Sequence, residues 1–126
     1  MNPFSMTGGA IRQGFFESVL EVLPEFVLIH DETTILFANA ACRRFLGADS
    51  PQDIEGLPLD IIIHSDAYDA GRERRRLLIE SERAFRSVPL KVVTLDGEPK
   101  HLTADAHPLA VKGIKAAMVI ARAERA

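Results

Sequence analysis

The chain has 126 residues, a length that suits one domain and allows a hydrophobic core to form without disulfides or metal ions. The composition is 47% hydrophobic and 26% charged, and the net charge of −3 provides no overall attraction to nucleic acid or to an anionic membrane. Cys42 is the single cysteine, which excludes an intrachain disulfide, and no apolar run approaches the roughly 18 residues that span a bilayer. These properties predict a cytoplasmic protein, or a cytoplasmic piece of a longer one.

The N-terminal residues are rich in Gly, Ser, Thr and Asn and lack the charged start and apolar stretch of a signal peptide. We expect residues 1–13 to be disordered or tag-like and residues 14–126 to form a single domain. The domain begins with apolar residues in steps of three and four, which predict one helical stripe that ends at Pro24. The stripe consists of Phe15, Phe16, Val19, Leu20 and Leu23.

Two short apolar runs follow, and their closeness predicts a pair of strands at Phe26–His30 and Thr34–Ala38. Asn39 is a suitable N-cap for a short helix over Ala40–Leu46. Gly47 is placed to end that helix at its C-terminal side, because glycine adopts the left-handed backbone conformation easily.

The second half begins with turn-rich sequence and single helical turns around Gln52–Glu55 and Leu59–His64. The longest helix is predicted at Ala67–Glu82. Three strands follow it, separated by turns at Asp96-Gly97 and at Val111-Lys112-Gly113, and the tight turns make them antiparallel neighbours. These strands are predicted at Leu90–Leu95, Lys100–Leu109 and Ile114–Arg122.

Strands and helices that occur in separate runs predict an α+β fold. The order of the elements resembles that of the PAS domain family, and local motifs along residues 15–125 strengthen the resemblance. The motifs are Leu23-Pro24-Glu25, Asp31 through Asn39, Phe45-Leu46-Gly47, Glu55-Gly56, His64-Ser65-Asp66 and Leu95-Asp96-Gly97. One position departs from the family: Ala121 stands where an Asp often couples the sheet to an effector, although Glu124 and Arg125 match.

The resemblance implies a five-stranded antiparallel sheet with short helices on one face and the N-terminal amphipathic helix beside it. It also implies a sensory module of signal transduction whose helices cover an apolar cavity for a small ligand. Residues expected from their position in the fold to line this cavity are Ile29, Phe37, Phe45, Leu46, Leu59, Ile62, Tyr68, Leu78, Val92 and Met118.

The apolar stripe of the first helix has two interpretations. It packs either on the sheet of its own chain or on a second copy, and the family resemblance favours a homodimer through Phe15, Phe16, Val19, Leu20 and Leu23. An effector, as a linked domain or a separate protein, is the other expected partner, because no kinase, cyclase or DNA-binding motif occurs in this sequence.

Cofactors of the family find weak support in the residues. Cys42 resembles the photoactive cysteine of flavin-binding members, but that cysteine lies in a later helix, and the late strands carry no Asn or Gln to bind the flavin ring. We therefore interpret Cys42 as a buried structural thiol. Haem-binding members place a histidine on the long helix, whereas here only His64 precedes it, so haem is not expected either.

Metal and nucleic-acid sites are also disfavoured. His101, Asp105 and His107 share one face of a strand, but the two histidines are too far apart along it to bind one metal ion. The arginines at 72 and 74–76 alternate with acidic residues, which is typical of a solvated helix face.

Two alternatives to a ligand-binding sensor remain open from the sequence. One is a dimerisation or interaction module with a filled core. The other is a small cone-shaped α+β enzyme of the ketosteroid-isomerase type, which needs a carboxylate in a deep apolar pocket, and Asp105 is the candidate. No catalytic motif supports the enzyme, so the sequence favours a regulatory module.

Overall fold

A computed structural model of the chain describes residues 10–111 and 113–124. Lys112 of the predicted turn and Arg125 of the family's terminal motif lie outside these residues, as do residues 1–9 of the segment expected to be disordered or tag-like. The helices and strands are α1 (Ala10–Glu21), β1 (Phe26–His30), β2 (Ile35–Ala38), α2 (Ala40–Leu46), α3 (Tyr68–Glu80), β3 (Phe85–Val93), β4 (Pro99–Val111) and β5 (Ile114–Ala123). Helix α1 thus begins inside the range 1–13.

The strands form one antiparallel sheet in the order β2-β1-β5-β4-β3. The last three strands are consecutive neighbours, and β5 returns to pair with β1 in the middle of the sheet. The predicted α+β class and five-stranded antiparallel sheet are confirmed.

Local capping signals explain why α2 has the bounds expected from the sequence. The Asn39 side chain accepts a hydrogen bond from the backbone N–H of Cys42, as an N-cap does. At the other end Gly47 has φ 84°, and its N–H approaches the carbonyls of Arg43 and Arg44. Both predicted caps are confirmed.

Three short 3₁₀ turns connect α2 to α3, at Pro51–Asp53, Leu59–Ile62 and Ser65–Ala67. The last of them begins at His64, whose Nδ1 accepts a hydrogen bond from the backbone N–H of Asp66 at 3.1 Å. His64 therefore caps this last 3₁₀ turn, which leads directly into α3.

Strand β3 begins five residues before the predicted Leu90. Its first part is irregular: the register shifts between Phe85 and Val88, and Ser87 has φ 53°. The Ser87 N–H donates instead to Oδ1 of Asp105 on β4, at 2.8 Å. Because of this bulge and of Pro89, the first part of β3 lacks the regular alternation of apolar and polar residues that predicts a strand.

Both edge strands of the sheet, β2 and β3, form hydrogen bonds with the segments that connect the helices. On β2, Ile35 donates its N–H to Leu57 and its carbonyl accepts from Gly56, at 2.9 and 2.7 Å. On β3, His64 donates its N–H to the carbonyl of Lys91 at 3.1 Å. The connecting segments therefore form hydrogen bonds with backbone groups at both edges of the sheet.

The sheet has two differently covered faces. The inner face carries Leu28, Leu102 and Ala104 and packs against α2 and the 3₁₀ turns, with α3 covering the Ala106 end. The outer face carries Val27, Ile29 and Ala116, against which Leu20 and Leu23 of the α1 region pack.

Candidate functional site

An apolar cavity of about 110 Å³ lies between the inner face and the helices. Its floor includes Ala104, Ala106 and Ala121, three side chains too small to fill the space below the helices, and Gly71 adds a position without a side chain on α3. Phe26 and Phe45, whose rings stack with centroids 4.4 Å apart, also line it. The cavity therefore arises where small sheet residues face short helices.

Most of the residues that the sequence placed at a cavity do line this one. They are Phe45, Leu46, Leu59, Ile62, Leu78 and Val92. They come from α2, a 3₁₀ turn, α3 and β3, which the fold brings together around one space. Whether the cavity takes a ligand stays a prediction.

The other four predicted lining residues lie elsewhere, and this part of the prediction needs correction. Ile29, Phe37 and Met118 belong to the cluster on the outer face, on the opposite side of the sheet. Tyr68 lies at the start of α3, where the Arg72 guanidinium is 5.4 Å from its ring centre. The three strand residues were assigned to the wrong face of the sheet. Neighbouring side chains of a strand point to opposite faces, so an error of one position moves a residue from the inner face to the outer one.

His30 lines the cavity and was missed by the sequence analysis. It is 4% exposed, and its Nδ1 donates to the carbonyl of Asp31 at 2.8 Å, which leaves Nε2 as the acceptor. Burial lowers the pKa of His30 to about 4, because a charged imidazolium is poorly solvated there, so the ring is neutral at pH 7. The signal was its position on β1, two residues from Leu28 and four from Phe26, which share its face.

Two arginines of α3 also reach the cavity wall, but only one of them is paired. Arg75 is 8% exposed, donating to the carbonyl of Glu32 at 3.1 Å and to Asp60 Oδ1 at 3.0 Å. Burial alone would raise the pKa of Asp60, but Arg75 and Arg72 outweigh it and hold that pKa below its ordinary value. Arg74 is half-buried at the cavity, and burial lowers the pKa of its guanidinium.

Cys42 is buried on α2 and lines the cavity, in agreement with its interpretation as a buried thiol. Burial raises the pKa of Cys42 to about 12, an effect that the nearby Arg43 charge opposes only in part. The thiol is therefore protonated at pH 7 and is a weak nucleophile.

The polar strand residues contribute nothing to the cavity. His101, Asp105 and His107 alternate with Leu102, Ala104 and Ala106, so they point to the outer face. Asp105 holds the bulge at Ser87, and the described cavity wall contains no carboxylate, so the isomerase-type alternative loses its candidate. Among the described residues, no group of three or more His, Cys, Asp or Glu is placed to hold a metal ion.

Helix α1 is joined to α2 by partly buried polar contacts. The Asn39 side chain, 0% exposed, accepts from the N–H of Val27 and donates to the carbonyls of Leu20 and Glu25. Arg43 on α2 donates to both carboxylate oxygens of Glu21, at 2.9 and 2.7 Å. That hydrogen bonding lowers the pKa of Glu21. The C-terminal end of α1 is therefore in direct contact with the N-cap and the side chains of α2.

Three of the five residues of the predicted α1 stripe face away from the sheet. Leu20 and Leu23 pack on the outer-face cluster, whereas Phe15, Phe16 and Val19 are 65%, 53% and 44% exposed. The C-terminal part of the stripe therefore packs on its own chain, and the homodimer through the exposed N-terminal part stays a prediction.

Comparison with known proteins identifies the family. The family model for the PAS domain matches residues 14–89, and the chain belongs to this family. No curated protein matches the sequence. Within the described residues, no helix is long and apolar enough to cross a membrane.

Solved structures share the fold at low sequence identity. The PAS domain of a Colwellia psychrerythraea protein matches with a TM-score of 0.74 and 12% identity, covering 88% of this chain and 95% of that one. The PAS domain of an HTR-like protein from Haloarcula marismortui gives 0.71 and 16%, covering 90% and 93%. A Rhodobacter sphaeroides LOV protein gives 0.71 and 18%, covering 89% and 67%. These likenesses describe the architecture of the chain.

Proposed function

We propose that this chain is a sensory module that binds a small apolar ligand in the inner cavity and regulates an effector outside the chain. The observation that carries the proposal is the cavity itself, an apolar space whose wall includes residues of α2, the helix that is hydrogen-bonded to α1. Similar structures support a signalling role: they include a PAS domain from a two-component sensor histidine kinase and that of nitrogen regulation protein NR(II) from Vibrio parahaemolyticus.

The contacts supply a route from cavity to surface. A ligand that touches Cys42, Phe45 or Leu46 displaces or stabilises α2. Asn39 caps α2 and also binds the carbonyl of Leu20, so the end of α1 responds to the same movement. A ligand with different affinity for two positions of α2 thereby shifts the population of two positions of α1.

Helix α1 is also the proposed dimer contact. Phe15, Phe16 and Val19 present neighbouring apolar side chains to solvent, and a second copy of the chain would bury them by a symmetric contact. Ligand binding and dimer geometry are then connected through α1.

The ligand is tested by native mass spectrometry of freshly purified protein, beside a denatured control and an absorbance spectrum. Extra mass that disappears on denaturation supports the sensor, and the spectrum separates a coloured cofactor from a colourless ligand. A bare polypeptide mass, together with no binding of small apolar probes, favours the interaction module with no ligand.

The dimer is tested by sedimentation velocity on a matched pair of α1 variants. Phe16→Asp places a charge in the exposed stripe, and Ser18→Asp places the same charge on an exposed position outside the stripe. We expect the first variant to be monomeric and the second to keep the wild-type dimer. Equal dimerisation of both variants would remove α1 as the interface.

A further inference from the structure

Arg74 is the exception among the arginines of α3. Its neighbours are paired: Arg72 and Arg75 with Asp60, and Arg76 with Glu73 and Glu80. Arg74 has no hydrogen bond or ion pair to any described residue, although it lies against the wall of the cavity. A cation without a counter-charge therefore borders an apolar space.

This arrangement costs free energy as long as the guanidinium has no counter-charge. A half-buried guanidinium loses part of its hydration, and burial accordingly lowers the pKa of Arg74. No carboxylate of the described cavity wall compensates for that loss. An anionic group on an occupant of the cavity would supply the missing charge and accept charge-assisted hydrogen bonds from the guanidinium.

His30 provides a second polar group that the described residues leave unmet. Its Nδ1 is used by the carbonyl of Asp31, and Nε2 has no described partner although the residue is 4% exposed. A neutral imidazole in this tautomer presents a lone pair at Nε2. Among the described lining residues, the cavity thus offers one unpaired cation, Arg74, and one free hydrogen-bond acceptor, while the second cation, Arg75, is paired with Asp60.

The size of the cavity limits the occupant. Its volume is about 110 Å³. An engineered apolar cavity of about 150 Å³ in another protein holds benzene. The apolar body of a ligand is therefore no larger than one ring or a short branched chain.

Resting on the proposed ligand-binding function, we propose that the cavity takes a small carboxylate whose apolar body is one ring in size. The carboxylate binds the Arg74 guanidinium, and a hydroxyl on the ring donates to Nε2 of His30. Arg74 thereby selects anions over neutral molecules of the same shape, and His30 selects ring-substituted members among the anions.

The test measures dissociation constants by NMR chemical-shift titration at pH 7. The probes are benzoate, the neutral benzyl alcohol, and the three hydroxybenzoate isomers. The proteins are the wild type, Arg74→Gln, and the control Arg76→Gln, which removes the same charge from the same helix outside the cavity wall.

We expect the wild type and Arg76→Gln to bind benzoate at least about 10-fold more tightly than benzyl alcohol, in keeping with a charge-assisted pair. Arg74→Gln should bind both probes alike, and its unchanged affinity for benzyl alcohol shows that the cavity is intact. At least one hydroxybenzoate should bind the wild type more tightly than benzoate does.

Two results separate this inference from the proposed function. If benzyl alcohol binds but benzoate has no advantage, or if Arg74→Gln keeps the advantage, the carboxylate assignment is wrong while the apolar ligand site stands. If no hydroxybenzoate exceeds benzoate, the role of His30 is wrong. If no probe shifts the resonances of cavity residues, both the carboxylate assignment and the ligand site fail.

Discussion

The two faces of the sheet bury apolar residues in different ways. On the outer face Val27, Ile29 and Ala116 are 0%, 1% and 2% exposed, and Leu20 and Leu23 lie directly on their cluster. On the inner face the wall is equally apolar, yet a cavity remains above Ala104 and its neighbours. The difference shows that hydrophobic composition alone does not close a core. The size of the sheet residues and the reach of the covering helices decide it.

The largest effect should come from Asn39, which joins the coverings of both faces. Asn39→Ala removes the acceptor for two buried backbone N–H groups, on Val27 and Cys42, and the donor to the carbonyls of Leu20 and Glu25. We expect the free energy of unfolding in urea to fall by about 3–5 kcal/mol. Asn39→Ser keeps a hydroxyl oxygen that can accept from the Cys42 N–H, so its free energy of unfolding should fall less. A loss below about 1 kcal/mol for Asn39→Ala would mean that the two coverings are independent.

The next effect is a pH dependence that belongs to the inner face. His30 has a folded-state pKa of about 4 against an ordinary value of 6.5, so the unfolded chain takes up a proton first as the pH falls. The folded state therefore loses stability between pH 6.5 and 4, by about 3 kcal/mol. Above pH 6.5 His30 is neutral in both states and has no effect.

His30→Phe isolates this contribution, because the phenylalanine cannot bind a proton. The difference in unfolding free energy between the wild type and the variant should stay constant above pH 6.5. Below pH 6.5 it should change, because the wild type loses more stability than the variant. The carboxylates with lowered pKa values, such as Asp60 and Glu21, remain in both proteins and cancel in the difference. Parallel curves down to pH 4 contradict the buried neutral imidazole.

The smallest change in stability comes from a pair of substitutions, one on each face of the sheet, and this pair tests the comparison of the two faces most directly. Ala116→Leu inserts a larger side chain into the closed outer cluster and should cost about 1–3 kcal/mol. Ala104→Leu points into the cavity, so its cost should be below about 1 kcal/mol, and benzyl alcohol should no longer bind. Thermal unfolding and the probe titration measure both consequences. Equal costs on the two sides would show that the cavity cannot accept added volume.

Much of the fold was predictable because its signals are local. The bounds of α2 follow from Asn39 and Gly47, and the hairpin after β3 follows from Asp96-Gly97, since Gly97 adopts φ 92°. The start of β3 was not predictable, because the bulge at Ser87 is held by Asp105 from a different strand.

The site was predictable in part, and β1 shows why. All of its residues from Val27 to His30 are buried, Val27 and Ile29 on the outer face and Leu28 and His30 on the inner one. Alternation carries no information when both faces are covered, so the sequence could not tell which set points to the cavity. Arg74 was missed for a related reason: four arginines in one helix look alike until their partners are known.

The hydrogen bonds at the two edges of the sheet limit how the molecule can associate with other chains. Pro89 and the bulge at Ser87 interrupt β3, and His64 already occupies the carbonyl of Lys91, while Ile35 of β2 is bonded to Gly56 and Leu57. A strand of another chain that approached either edge would find few free backbone groups in register for pairing. Assembly by continuing the sheet from molecule to molecule, which leads to filaments, is thereby discouraged. A symmetric contact through one face or one helix, in contrast, closes after two copies, and the proposed α1 contact is of this kind.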